Sequence, residues 1–306
     1  MNILLLGFAF ALPYHVMRCA VAAGHQVTVL GNGPAQGLLR SPSCTDLYLS
    51  DFDYRSQDYR VLVQEIAHLS IAIGFDMVMP SDDVSTRALA AIKDEIPLPT
   101  TTVPTVEVFD TLNGTTHFAQ FCAEHGIPVS DDRDDETLGV TALCRQGRMV
   151  AHVVEERSEG QLRIHEVPDL AAAVTRLVEA SNFNGILHCA AAIVRSTGLF
   201  HLTRCRPGFA LSIHPTMIAG LNFADAAINL SHGRLPSKST LPPTTIKLYP
   251  AALGSVTMPW RLSRRDWRML RYHLRERELF MTRVDDGDVF VPAPEEDAPP
   301  AARSAS

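Results

Sequence analysis

FNGILHCAAAIVRSTGLFHLTRCRPG, residues 183–208, reads as a strand, a turn at Ser196-Thr197-Gly198 and a second strand. Side chains alternate across a strand, so Arg204 and Arg206 share one face of the second, with His188 and Ala190 on the strand before it. Two adjacent strands of this kind are laid out to hold a cation between their side chains. A hard cation needs anionic oxygens, and no Asp or Glu occurs anywhere in the stretch. The scaffold of a metal site is present without its ligands.

Upstream, Asn2 to Leu6 is a continuous apolar run, followed by a helical pattern from Pro13 to Ala23 and a second run from Val27 to Leu30. Buried strands alternating with helices predict the opening of a parallel α/β sheet. A third strand at 46–49, a helix at 59–73, a fourth strand at 76–79 and a helix from Ser81 or Asp82 to Ile92 extend it. After the Pro- and Thr-rich break at 98–104 come short helices at 106–112 and 116–125. Strands are then expected at 140–145 and 149–155, joined as a hairpin through Gln146-Gly147-Arg148, and at 162–167. An amphipathic helix at 169–181 precedes the strand pair, and one helix from Thr216 to Leu230 follows it. The acidic run Asp131–Glu136 is expected to be a solvated loop.

The fold class is thus α/β, with a parallel βαβ amino-terminal part at 1–98 and linker helices at 99–137. An α+β part follows at 138–235, then an extension at 236–291 and a disordered tail at 292–306. In the extension, Arg264, Arg265, Arg268, Arg271, Arg275 and Arg277 interleave with Trp267, Leu270 and Leu274. The apolar stripe needs a surface, supplied by this chain's own sheet or by a subunit or protein partner.

Composition narrows the function classes. A net charge of −7 argues against nucleic acid or an anionic membrane surface as a partner, and no run of 18 apolar residues spans a membrane. The apolar amino terminus lacks a basic leader segment and reads as a core strand. Six cysteines without C-x-x-C or zinc spacing behave as buried small hydrophobes, in keeping with a reducing, cytoplasmic setting. Only Lys93, Lys238 and Lys247 are lysines. The segment Gly7-Phe8-Ala9-Phe10-Ala11-Leu12 lacks two glycines of a dinucleotide fingerprint, and its phenylalanines obstruct a pyrophosphate.

The order of these elements resembles the ATP-grasp superfamily of carboxylate-amine ligases and carbamoyl-phosphate-synthase-like enzymes. The likeness rests on the βαβ opening, the strand end Asp76–Asp82, His125-Gly126-Ile127-Pro128-Val129, Gln146–His152, the helix before Asn184-Gly185 and Ala219-Gly220-Leu221-Asn222. The resemblance implies a nucleotide site with two Mg²⁺ ions, and this sequence departs from it three times. Asn113-Gly114 stands where the family has a lysine. Barely a dozen residues, 129–140, replace most of the central lid subdomain. Ala190, Arg204 and Arg206 occupy the acidic and Glu-x-Asn positions that hold the metals.

Phosphoryl transfer depends on cations bridging the phosphates, and an arginine in place of a ligating glutamate repels Mg²⁺. The expectation is a degenerate, catalytically inactive ATP-grasp-like protein acting as a binding, regulatory or partner subunit. It carries no cofactor and no metal, binds neither nucleic acid nor membrane, and takes a protein partner or a second copy of itself. Two alternatives stand beside it. One is an atypical ATP-dependent ligase in which Arg204 and Arg206 replace the metals and ATP and Mg²⁺ are retained. The other is a small-molecule sensor or carrier. Candidate ligand-binding residues are Ser81 and Asp82 at a strand end, or, for a small anion, His188, Arg204 and Arg206, since guanidinium pairs bidentately with oxyanions. Ser81 and Asp82 also suit a helix cap, and the arginines also suit solvent or ion pairs within the protein.

Overall fold

Residues Ile3–Leu6 are apolar without interruption because both faces of their strand are covered. Strand β1 (Asn2–Gly7) pairs in parallel with β2 (Gln26–Gly31) and β4 (Met77–Pro80), and β3 (Asp46–Leu49) pairs with β2. Ile3 and Leu5 pack under α1 (Ala11–Ala22), and Leu4 and Leu6 under α2 (Arg60–Ile73) and α3 (Asp83–Ile92). The computed structural model describes residues 1–55, 58–130, 136–158, 160–194, 199–248 and 263–274. The expected turn at 196–198, most of the acidic run, Arg275, Arg277 and the expected disordered tail lie outside the described residues.

Helices α4 (Val106–Asn113) and α5 (Thr115–Glu124) lead to the second sheet, with residues 125–135 alone connecting α5 to β5 (Glu136–Arg145). Strands β6 (Arg148–Ser158), β7 (Gln161–His165), β8 (Gly185–Val194), β9 (Leu199–Arg206) and β10 (Thr244–Lys247) complete it. All pairs are antiparallel in the order β10-β7-β6-β5-β8-β9. The expected hairpin forms between β5 and β6. Strand β10 lies in a Pro- and Ser-rich segment whose four residues are too short to show a period.

One face of this sheet packs on α4, α5 and α6 (Pro168–Ala180), through Val140, Ala142, Leu187 and Leu202. Its other face, through Leu143, Ala151, Val153 and Ile164, shares a core with α1 and with the parallel sheet. That shared core is closed by α7 (Ile213–Ala219) and α8 (Phe223–Ser231).

The single helix expected over 216–230 is two. Gly220 adopts φ 118° and ends α7, and the Asn222 side chain accepts from the backbone amides of Ala224 and Asp225 to start α8. Apolar periodicity continues across the break, which hid it from a pattern reading. A last helix, α9 (Arg264–Leu274), lies against α7 and β10, with Leu270 buried, Arg265 donating to Thr244 Oγ1 and Trp267 47% exposed.

Gly220→Ala would force an L-residue into the left-handed region and bring its Cβ to 3.0 Å from Lys238 Nζ. The expected cost is about 1–2 kcal/mol, read as a lower urea midpoint at unchanged slope.

Candidate functional site

Two rows of residues cross the second sheet, and His188 and Arg206 of the first with all four of the second line a cavity of about 220 Å³. In the first, Val153 of β6, Thr141 of β5, His188 of β8 and Arg206 of β9 stand side by side. In the second, Glu155, Gly139, Ala190 and Arg204 do the same. The register therefore places His188 opposite Arg206 and Ala190 opposite Arg204. The roof comes from the chain entering α7, with Ala210, Ser212 and His214 lining the space.

Gly139 is required by the floor. A Cβ there would lie 2.6 Å from His188 Cε1, so the imidazole rests over bare backbone. The ring is held by Thr141 Oγ1, 3.0 Å from its Nδ1. His214 stacks on the buried His15 with ring centroids 4.1 Å apart, fixing the far wall.

Two carboxylates reach this face from elsewhere in the chain. Asp83, in the first turn of α3, places Oδ2 3.2 Å from Arg206 Nε, and both side chains are nearly buried. Arg206 is thereby engaged across the seam between the two sheets. The second is Glu155, with Oε1 3.9 Å from His188 Nδ1. Burial, only partly offset by the Ser212 hydroxyl and the charge of Arg157, pushes the Glu155 carboxyl up to about 7. Apart from that Ser212–Glu155 contact, neither Glu155 Oε2 nor Ser212 Oγ has a hydrogen-bond partner among the described residues.

Ser81 and Asp82 stand apart from this floor and form the joint between β4, α3 and the loop after β1. Ser81 Oγ donates to the Leu6 carbonyl at 2.6 Å. Asp82 caps α3, accepting from the Ser85 amide at 2.8 Å through Oδ1, while Oδ2 accepts from the Phe8 and Ala9 amides at 2.6 and 3.1 Å. Burial raises the Asp82 carboxyl, against the pull of those hydrogen bonds. The remaining candidates, His188, Arg204 and Arg206, do come together.

Glu155 was not singled out from sequence. It follows Val153 and Val154 in an apolar run and precedes the charged Glu156 and Arg157, so it reads as the wet end of a strand. Its inward alternation with Val153 was the available signal.

Mg·ATP does not fit these residues. Ala190 offers no ligand oxygen and Arg204 and Arg206 offer cations. No group of three or more His, Cys, Asp or Glu able to hold a metal exists among the described residues. A lysine at Asn113-Gly114 is also lacking, and no lid subdomain occurs between α5 and β5 among the described residues.

No protein-family model matches the sequence, and no curated protein matches it. Solved structures do. The L-amino acid ligase from Bacillus licheniformis superposes with TM-score 0.57 at 14% identity, over 77% of this chain and 75% of that one. The N5-carboxyaminoimidazole synthetase from Staphylococcus aureus gives 0.58 at 11% identity, over 80% and 81%. The multifunctional pyruvate carboxylase from Rhizobium etli gives 0.56 at 14% identity over 76% of this chain, which spans only 24% of that enzyme. These neighbours are ATP-grasp carboxylate-amine ligases, and this chain has their fold. No helix among the described residues is long and apolar enough to cross a membrane.

Two outcomes test the site's electrostatics. Asp83→Asn leaves Arg206 without its buried counter-charge and is expected to cost about 3 kcal/mol in urea unfolding. For Glu155, the folded value of about 7 lies above the ordinary 4.5. Its contribution is complete below pH 4.5 and is lost as pH rises through about 7. Glu155→Gln should therefore gain ~3 kcal/mol on wild type between about pH 4 and pH 8, measured as paired denaturation curves.

Proposed function

We propose that this chain is an ATP-grasp-fold protein that has given up ligation and serves as a binding, regulatory or partner subunit. The observation that carries the reading is the cross-strand pair Ala190 and Arg204, flanked by Arg206 on its Asp83 partner. A phosphate-bridging metal needs hard oxygens at those places. The connection from α5 to β5, only 11 residues at 125–135, supports the same reading, since it is too short for a lid subdomain over the site.

Substitution of the metals by arginine, the ligase alternative, is weakened by the Asp83–Arg206 pair. A guanidinium already balanced by a carboxylate offers less charge to a phosphate. A partner subunit finds support in α9, whose Trp267 stays about half exposed beside Arg264, Arg268 and Arg271. Aromatic and arginine side chains are the residue types that anchor protein interfaces.

Isothermal titration of the full chain with ATP and Mg²⁺ is the test. No heat of binding and no ADP release across an amino-acid panel is the expected result. Micromolar, Mg²⁺-dependent binding would overturn the reading and restore a ligase.

A further inference from the structure

A second cavity, of about 460 Å³, opens where α1, α7 and α9 meet. Three guanidinium groups line it, Arg18 from α1 and Arg268 and Arg271 from α9. No Asp or Glu lines it among the described residues. In a chain whose net charge is −7, this convergence of positive charge does not follow from overall composition.

Arg18 supplies the depth of the cavity. It is 6% exposed, a burial that arginine rarely reaches. Its Nη1 donates to the Tyr14 hydroxyl at 2.8 Å, and its guanidinium carbon lies 5.2 Å from the centre of the Tyr14 ring. Tyr14 is itself buried and stacked on Phe10. A guanidinium held by a packed aromatic loses little rotamer freedom when a ligand arrives, so this one is preorganised. Arg268 and Arg271 supply the rim, and both are exposed. They stand three positions apart, which makes them neighbours on the helix surface, where like charges repel and an anion between them relieves the repulsion.

The rest of the lining narrows the ligand. Ser43, half-buried in the segment before β3, adds a hydroxyl donor. Val21, Met217 and Ile218 add an apolar side. A carboxylate carries one charge and two oxygens, enough for a single guanidinium fork. A phosphate monoester carries about −1.5 to −2 at neutral pH and three terminal oxygens, and so accepts from more than one arginine. The volume falls within the roughly 300–1,000 Å³ of small-molecule sites and exceeds what inorganic phosphate fills. A nucleic-acid backbone or a lipid surface would meet the rim but not the buried Arg18.

We propose that the cavity between α1, α7 and α9 binds a small phosphate monoester. Arg18, Arg268 and Arg271 hold the phosphate, and Val21, Met217 and Ile218 pack against the organic part. This site is distinct from the cavity over the antiparallel sheet. Helix α7 contributes to both, His214 to that one and Met217 and Ile218 to this one.

Titration calorimetry on the full chain in EDTA, with phenyl phosphate, inorganic phosphate and benzoate, separates the two parts of the ligand and keeps Mg²⁺ out of the measurement. Phenyl phosphate is expected to bind best, inorganic phosphate less well for want of apolar contact, and benzoate least for want of charge. Arg268→Gln and Arg271→Gln should each weaken phenyl phosphate roughly tenfold, the loss of a charged hydrogen bond. Both positions are exposed, so the variants will be folded, and thermal melts verify it. Arg18→Lys keeps the charge but loses the fork, and should weaken binding roughly fivefold. Arg176→Gln, which removes an exposed arginine of α6, should leave binding unchanged. Failure of phenyl phosphate to bind at millimolar concentration overturns the proposal. An equal loss in Arg176→Gln also overturns it, by marking a response to net charge alone, and loss of binding in Arg204→Gln does so by moving the phosphate to the other cavity.

Discussion

The ion pair between Asp83 and Arg206 is the contact on which the site depends. Asp83 belongs to the first turn of α3, on the parallel sheet, and Arg206 to the last residue of β9, on the antiparallel sheet. Their nearly buried contact joins the two sheets beside the Ala190–Arg204 pair. A charge in this position cannot be removed singly, because its partner would be left uncompensated in a poorly solvated seam. Asp82, one residue earlier, secures the same corner by capping α3 and holding the Phe8 and Ala9 amides. Two adjacent acids therefore do structural work at a strand end where open α/β sheets ordinarily bind ligands.

The site is polar as well as cationic. His188, Glu155 and Ser212 line one cavity, and Gly139 leaves room for the imidazole. Retaining a buried glutamate whose carboxyl is pushed up to about 7 costs stability at neutral pH. A hydrophobic replacement would be stabilising if the cavity were only a remnant.

The elements were largely legible because their causes are local. The unbroken apolar run at β1 announces a strand covered on both faces. The break between α7 and α8 was not legible, since the apolar residues on either side keep helical spacing and only the φ of Gly220 interrupts them. Strand β10 was hidden for a related reason, its four residues being too few to show a period. Of the site, the neighbourhood of His188 and Arg206 could be read directly, because strand pairing is regular. Glu155 could not, since it lies two strands away from the pair that drew attention, and Asp83 could not, since it arrives from the other sheet.

By itself the sequence determined which residue types stand at 190, 204 and 206, an alanine and two arginines that offer a hard cation no oxygen of their own. Only the tertiary structure decided what the remaining charges do. Whether Arg206 faces a ligand or Asp83, and whether Glu155 is solvated or buried beside Ser212, depends on distances between residues more than fifty positions apart in the chain. Coulomb energies and desolvation are set by those distances and by the exclusion of water, and neither exists until the two sheets have met.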